Sequence, residues 1–141
     1  MNHPLVDDAT AVYILETRKC FEDLRQVAAQ IAGVLVLAAA GGKSATPDHP
    51  MLKAAEELYR EAVDRVRGAR PTERARPHHR FLTQAADALK IALAAARRLE
   101  TATVLPPVRD AYGYLQHAAQ TLPGFQMVAF DQGCCGGHSI S

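Results

Sequence analysis

The most constraining feature of this chain is a seven-residue apolar repeat running through residues 7–40. One row reads Ile14, Phe21, Ala28, Leu35; a second reads Thr17, Leu24, Ile31, Ala38; a third reads Tyr13, Cys20, Val27, Val34. Residues seven apart fall on one face of an α-helix after two turns. Three adjacent rows form a stripe too wide for a two-stranded seam and wide enough to face several partner helices. The opposite face carries Glu16, Arg18, Lys19, Glu22, Asp23, Arg25 and Gln26. Beyond Ala32 that polar face disappears, so the end of this helix requires cover all round.

Start and stop signals divide the rest. Asp7 or Asp8 can accept hydrogen bonds from the free amides of the first turn, and Gly41 and Gly42 permit a left-handed C-cap. The first helix is therefore expected over about 7–40. Thr46-Pro47-Asp48 signals a second start, with Pro50 leaving the position ambiguous by one turn. That helix is expected over 48–67, with Leu52, Ala55, Tyr59, Ala62 and Val66 inward. Glu56–Arg60 and Glu61–Arg65 are acid-to-base pairs four apart, of the kind that stabilise a solvated face. After an Arg- and Pro-rich connection, a third helix is expected over 78–100, on a row of Leu82, Ala85, Leu89, Ala92, Ala96 and Leu99. Residues 101–105 read as a loop, and Pro106-Pro107 as the start of a fourth helix over 107–122. Its inward residues are Val108, Ala111, Leu115, Ala118 and Leu122. Pro123-Gly124 stops it, and residues 123–141 form a tail opening with the apolar FQMVAF.

Four amphipathic segments on short connections predict an all-α fold, an antiparallel (up-down-up-down) four-helix bundle with an irregular C-terminal tail, as one domain over 1–141. Composition agrees: 26 alanines, no Trp and 6% aromatics suit closely packed helices. A chain of 141 residues buries enough surface in one core to fold without a staple.

Net charge is +1, which excludes a globally basic nucleic-acid binder but not a local patch. Three cysteines, two of them adjacent, do not describe a disulfide framework. The first residues show no charged stretch followed by an apolar one, so a cytoplasmic protein is expected. Residues 27–42 are interrupted only by Gln30, yet a spanning helix needs about 20 apolar residues. A buried helix, with no membrane span, is the expectation.

Chemistry-bearing groups are few. Cys134, Cys135 and His138 offer two thiolates and an imidazole around two glycines, a donor set suited to zinc or copper. Three ligands leave the shell open unless Cys20 or His117 joins. Arg65, Arg67, Arg70, Arg74, Arg76 and Arg80 accumulate with only Glu73 to offset them between 65 and 80. Guanidinium forks match phosphate and carboxylate oxygens, making Arg70, Arg74, Arg76 and Arg80 candidate anion ligands. No aromatics interleave, so nucleic acid is not the expected partner. His117 sits between inward positions of the fourth helix and reads as a packing or surface group. There is no Walker loop, GxGxxG, HExxH, GxSxG or spaced CxxC pair, and periodicity places no ionisable group in the core.

These readings predict a non-catalytic helical protein acting through protein–protein contacts, as a homo-oligomer or a small accessory subunit. Its interface would use Val34, Leu35, Val36, Leu37, Phe125, Val128 and Phe130, because extended apolar surface usually marks a contact. A metal- or redox-responsive protein built on the CCGGH cluster is the alternative; otherwise no cofactor is expected.

Overall fold

The computed structural model describes residues 6–40, 49–98 and 100–125. It contains four helices: α1 (Asp8–Ala39), α2 (Pro50–Gly68), α3 (Arg76–Arg97) and α4 (Thr101–Thr121). Among the described residues there is no strand.

α1 starts on an aspartate cap. Asp7 Oδ1 accepts from the Thr10 amide at 2.8 Å, which supplies one of the partners the first turn lacks. The three heptad rows are buried as far as Val34, while Leu35 and Ala38 are only partly covered. One member of the expected polar face behaves differently. Asp23 is 6% exposed, because the side of α1 that carries it faces α2. Lys19 Nζ meets its Oδ1 at 2.9 Å and Arg65 Nη1 approaches its Oδ2 at 3.9 Å.

At the start of α2, His49 takes the cap: its Nδ1 accepts from the Met51 amide at 3.0 Å, and Pro50 occupies the first turn, where a missing amide hydrogen is harmless. The signal at Thr46 to Asp48 lies outside the described residues. Leu52, Ala55, Ala62 and Val66 are buried, and half-buried Tyr59 donates to the Ala86 carbonyl at 3.0 Å. The intrahelical pairs expected on α2 are replaced by cross-links. Glu56 pairs with Arg97 of α3, and Arg65 turns to Asp23. A partner on a neighbouring helix wins because α2 is short and its acid–base face borders both neighbours.

α3 begins at Arg76 rather than 78, since Pro77 is tolerated in a first turn, and ends at Arg97 rather than 100, where the amides of Arg98 and Glu100 both turn back to the Ala95 carbonyl. The larger correction concerns α4, which begins at Thr101 and carries Pro106 and Pro107 inside it. Residues 101–105 are thus helical rather than a loop. The start is held from the other side: the amides of Thr103 and Val104 both donate to the Glu100 carbonyl, and Val104 is fully buried. The prolines deprive the carbonyls of Ala102 and Thr103 of their amide partners. Both residues are exposed, so water can take those bonds.

α1 packs against all three other helices, α3 lies along α4 and also meets α2, and α2 and α4 do not touch among the described residues. α1 and α3 thus each meet all three other helices. Gly33 near its end lies against Met51 at the start of α2. The Val66 carbonyl near the end of α2 meets His79 Nε2 of α3 at 2.8 Å. Arg74, before α3, donates to the Thr121 carbonyl at the end of α4 at 3.3 Å. Gly124 then turns the chain with φ +96°, and a Cβ there would lie 3.1 Å from Ile14 and 3.3 Å from Arg18. That close approach brings the end of α4 back to the start of α1.

Candidate functional site

Among the described residues, three places carry the groups considered as candidates, and each is built by a different part of the fold.

The first is a polar cluster inside the core, where the heptad rows placed Tyr13 and Cys20 but no histidine. His78 is on the first turn of α3, just past Pro77, and is fully buried. Its Nδ1 lies 2.8 Å from the hydroxyl of Tyr13, which is 1% exposed. The two rings meet edge to face at 5.4 Å, and Phe125 covers the imidazole with ring centroids 4.1 Å apart. Phe125 also contacts Phe21 at 5.2 Å. Nε2 of His78 is buried without a hydrogen-bond partner among the described residues. Burial, reinforced by His79, lowers the His78 pKa to about 4, so the ring is neutral at pH 7. Burial likewise raises the Tyr13 hydroxyl, with Cys20 adding to the shift. The Cys20 thiol donates to the Thr17 carbonyl at 3.2 Å and is pushed up to about 11, chiefly by desolvation and then by Asp23. A protonated thiol sealed in this way is a poor nucleophile and a poor metal ligand.

Periodicity missed His78 because histidine is read as polar. The available signal was spacing: His78 stands four residues before Leu82, in line with the buried row of α3.

The second place is the arginine-rich connection. Arg76 and Arg80 line an open hollow of about 450 Å³ together with Pro71, Glu73, Pro77 and His79. Arg74 turns instead to the Thr121 carbonyl, and Arg70 is exposed but does not line the hollow. The fold brings together two of the four expected anion ligands.

The third place is apolar. Leu35, Val36 and Ala39 at the end of α1 and Leu105 of α4 surround a hollow of about 300 Å³. Val36 is 67% exposed and Leu105 43%. The expected interface set divides here. Leu35 and Leu37 are half-buried and Val36 is exposed, but Val34 and Phe125 are spent in the chain's own core. Val34 closes the third heptad row, and Phe125 plugs the space over His78 and Phe21. Leu105, which the expected loop had hidden from consideration, takes their place beside Val36. Val128 and Phe130 lie outside the described residues.

Cys134, Cys135 and His138 also lie outside the described residues. The two residues considered as additional ligands are far from equivalent: Cys20 is fully buried, whereas His117 is exposed and stacks on Phe81 at 5.3 Å. Among the described residues no group of three or more His, Cys, Asp or Glu side chains could hold a metal ion. No described helix is long and apolar enough to cross a membrane.

No protein-family model matches the chain, and no similar protein was found among curated proteins or solved structures. The class is therefore defined by the fold alone: an all-helical protein whose described residues include a buried histidine–tyrosine pair, a basic hollow and an apolar hollow.

Proposed function

We propose that this is a non-catalytic, up-down-up-down helical-bundle protein that works through protein–protein contact, and that self-association is the form its surface favours. The end-to-end pairings support the bundle reading. The end of α1 meets the start of α2, the end of α2 the start of α3, and the end of α4 the segment before α3.

The observation that carries the functional reading is the mismatch of helix lengths. α1 has 32 residues against 19, 22 and 21 in its partners. At about 1.5 Å per residue, α1 is roughly 15 Å longer than any helix that packs on it. Its last two turns are apolar and incompletely covered, and they form the hollow with Leu105. An apolar groove beside an overhanging apolar ridge suits a self-complementary contact between two copies, the commonest kind of oligomer interface. The non-catalytic part of the reading is supported by access. The groups whose acidity is most strongly perturbed, His78, Tyr13 and Cys20, are at most 1% exposed and cannot touch a solute.

Sedimentation velocity over a wide concentration range tests the proposal, with Val36→Glu and Leu105→Glu as interface variants. A dimer or higher oligomer that both substitutions convert to a folded monomer is the expected result. A wild-type monomer at every concentration overturns self-association.

A further inference from the structure

We propose that the hollow at the start of α3 binds a small oxyanion of the phosphate class, gripped by Arg76 and Arg80. The two arginines stand four residues apart on one helix, so their guanidinium groups project from the same face. Like charges in that arrangement repel. Neither makes an ion pair or side-chain hydrogen bond among the described residues. Both line the same open hollow of about 450 Å³, large enough for a phosphate and the small molecule that carries it.

The unbalanced charge is compounded by its position. The first turn of α3 contains no acidic residue, and its cap makes no side-chain hydrogen bond. Cations at this end of a helix oppose the macrodipole, so a bound anion would relieve two repulsions at once. The helix end alone would not locate a ligand; the paired guanidinium forks do, because their donors match the oxygens of a tetrahedral dianion.

Glu73 is the one acid in the lining and works against an anion. It also sets up a test with opposite signs. A small ligand is favoured over a nucleic-acid strand because no Phe, Tyr or Trp lines the hollow to stack a base, and the Nε2 of His79 is already engaged with the Val66 carbonyl. The site lies near the start of α1, whereas the apolar hollow lies at its end, so the two proposals stand independently.

Calorimetric titration of the full chain with pyrophosphate, at low ionic strength, tests the site. Saturable binding is expected, weakened at least tenfold by Arg76→Ala combined with Arg80→Ala. Glu73→Gln is expected to tighten it by roughly threefold, as removal of one like charge at the edge of a solvated site should. All three positions are exposed, and circular dichroism checks that the variants keep their helices. No saturable binding by the wild type overturns the proposal, as does equal binding by the double arginine variant. Malonate binding as tightly as pyrophosphate overturns the phosphate class. Binding of an RNA homopolymer without any response to pyrophosphate overturns the small-ligand reading.

Discussion

Neutral His78 in the core makes the stability of this protein depend on pH in a window where carboxylates contribute little. The folded ring has a pKa of about 4, against 6.5 for a free histidine. The unfolded chain therefore binds a proton that the folded chain refuses. The sign follows: stability is fully present above about pH 6.5, falls as the pH drops toward 4, and levels off below. Between pH 7.5 and 5.0 the linkage integral for one such group is about 2 kcal/mol. For a chain of this size that corresponds to a fall in Tm of roughly 7 °C. The measurement is urea denaturation at several pH values in this window, on the wild type and on His78→Phe. The variant leaves the Tyr13 hydroxyl without its partner and is expected to be less stable throughout. Only the pH slope matters, because phenylalanine cannot titrate. A difference in slope between the two proteins worth about 2 kcal/mol is expected. Parallel slopes would falsify the claim that His78 is sealed and neutral.

Other perturbations probe the packing. Gly113→Ala meets nothing within 4 Å and should stabilise α4 by about 0.5–1 kcal/mol in denaturant titrations; a loss would mean the helix is tighter there than described. Gly124→Ala should destabilise by more than about 1 kcal/mol, since the backbone has φ +96° and the new Cβ presses on Ile14; a neutral result would argue against the turn. In a Cys134→Ser/Cys135→Ser background, Cys20 should resist iodoacetamide until denaturant is added, because its thiol is buried and its pKa is about 11; prompt labelling under native conditions would contradict that burial. Asp23→Ala should change stability by no more than about 1 kcal/mol, because Lys19 and Arg65 are half-exposed and water can replace their acceptor; a larger loss would mean that the pairs are sealed from solvent.

How much could be read from the chain depended on how local the cause was. The rows of α1 were legible because a helix repeats its faces every seven residues, whatever surrounds it. Asp7 was legible as one of two caps because a capping bond spans only three residues. The inward row of α4, and that of α3 as far as Ala96, followed for the same reason, and so did the end of α4 near Pro123-Gly124; Leu99 lies outside the described residues.

The misreadings all involve a second element. Pro106-Pro107 signals a helix start in isolation, but burial of Val104 and the Glu100 carbonyl extend the helix back to Thr101. Only this reveals Leu105 as part of the apolar hollow. Asp23 sits among polar neighbours in sequence, and it is the approach of α2 that buries it. His78 and Tyr13 are 65 residues apart, and no local rule could pair them. Val34 and Phe125 looked equally available as interface residues until the fold committed both to the core.

From its sequence alone, this protein is determined to be helical, with the faces that its heptad rows define, because backbone propensity and side-chain periodicity act within a few turns. Which polar groups are sealed inside, which apolar groups remain outside, and which arginines share a hollow were decided only in the tertiary structure. Burial is a property of what a neighbouring helix covers, and that neighbour is specified by packing across the whole chain.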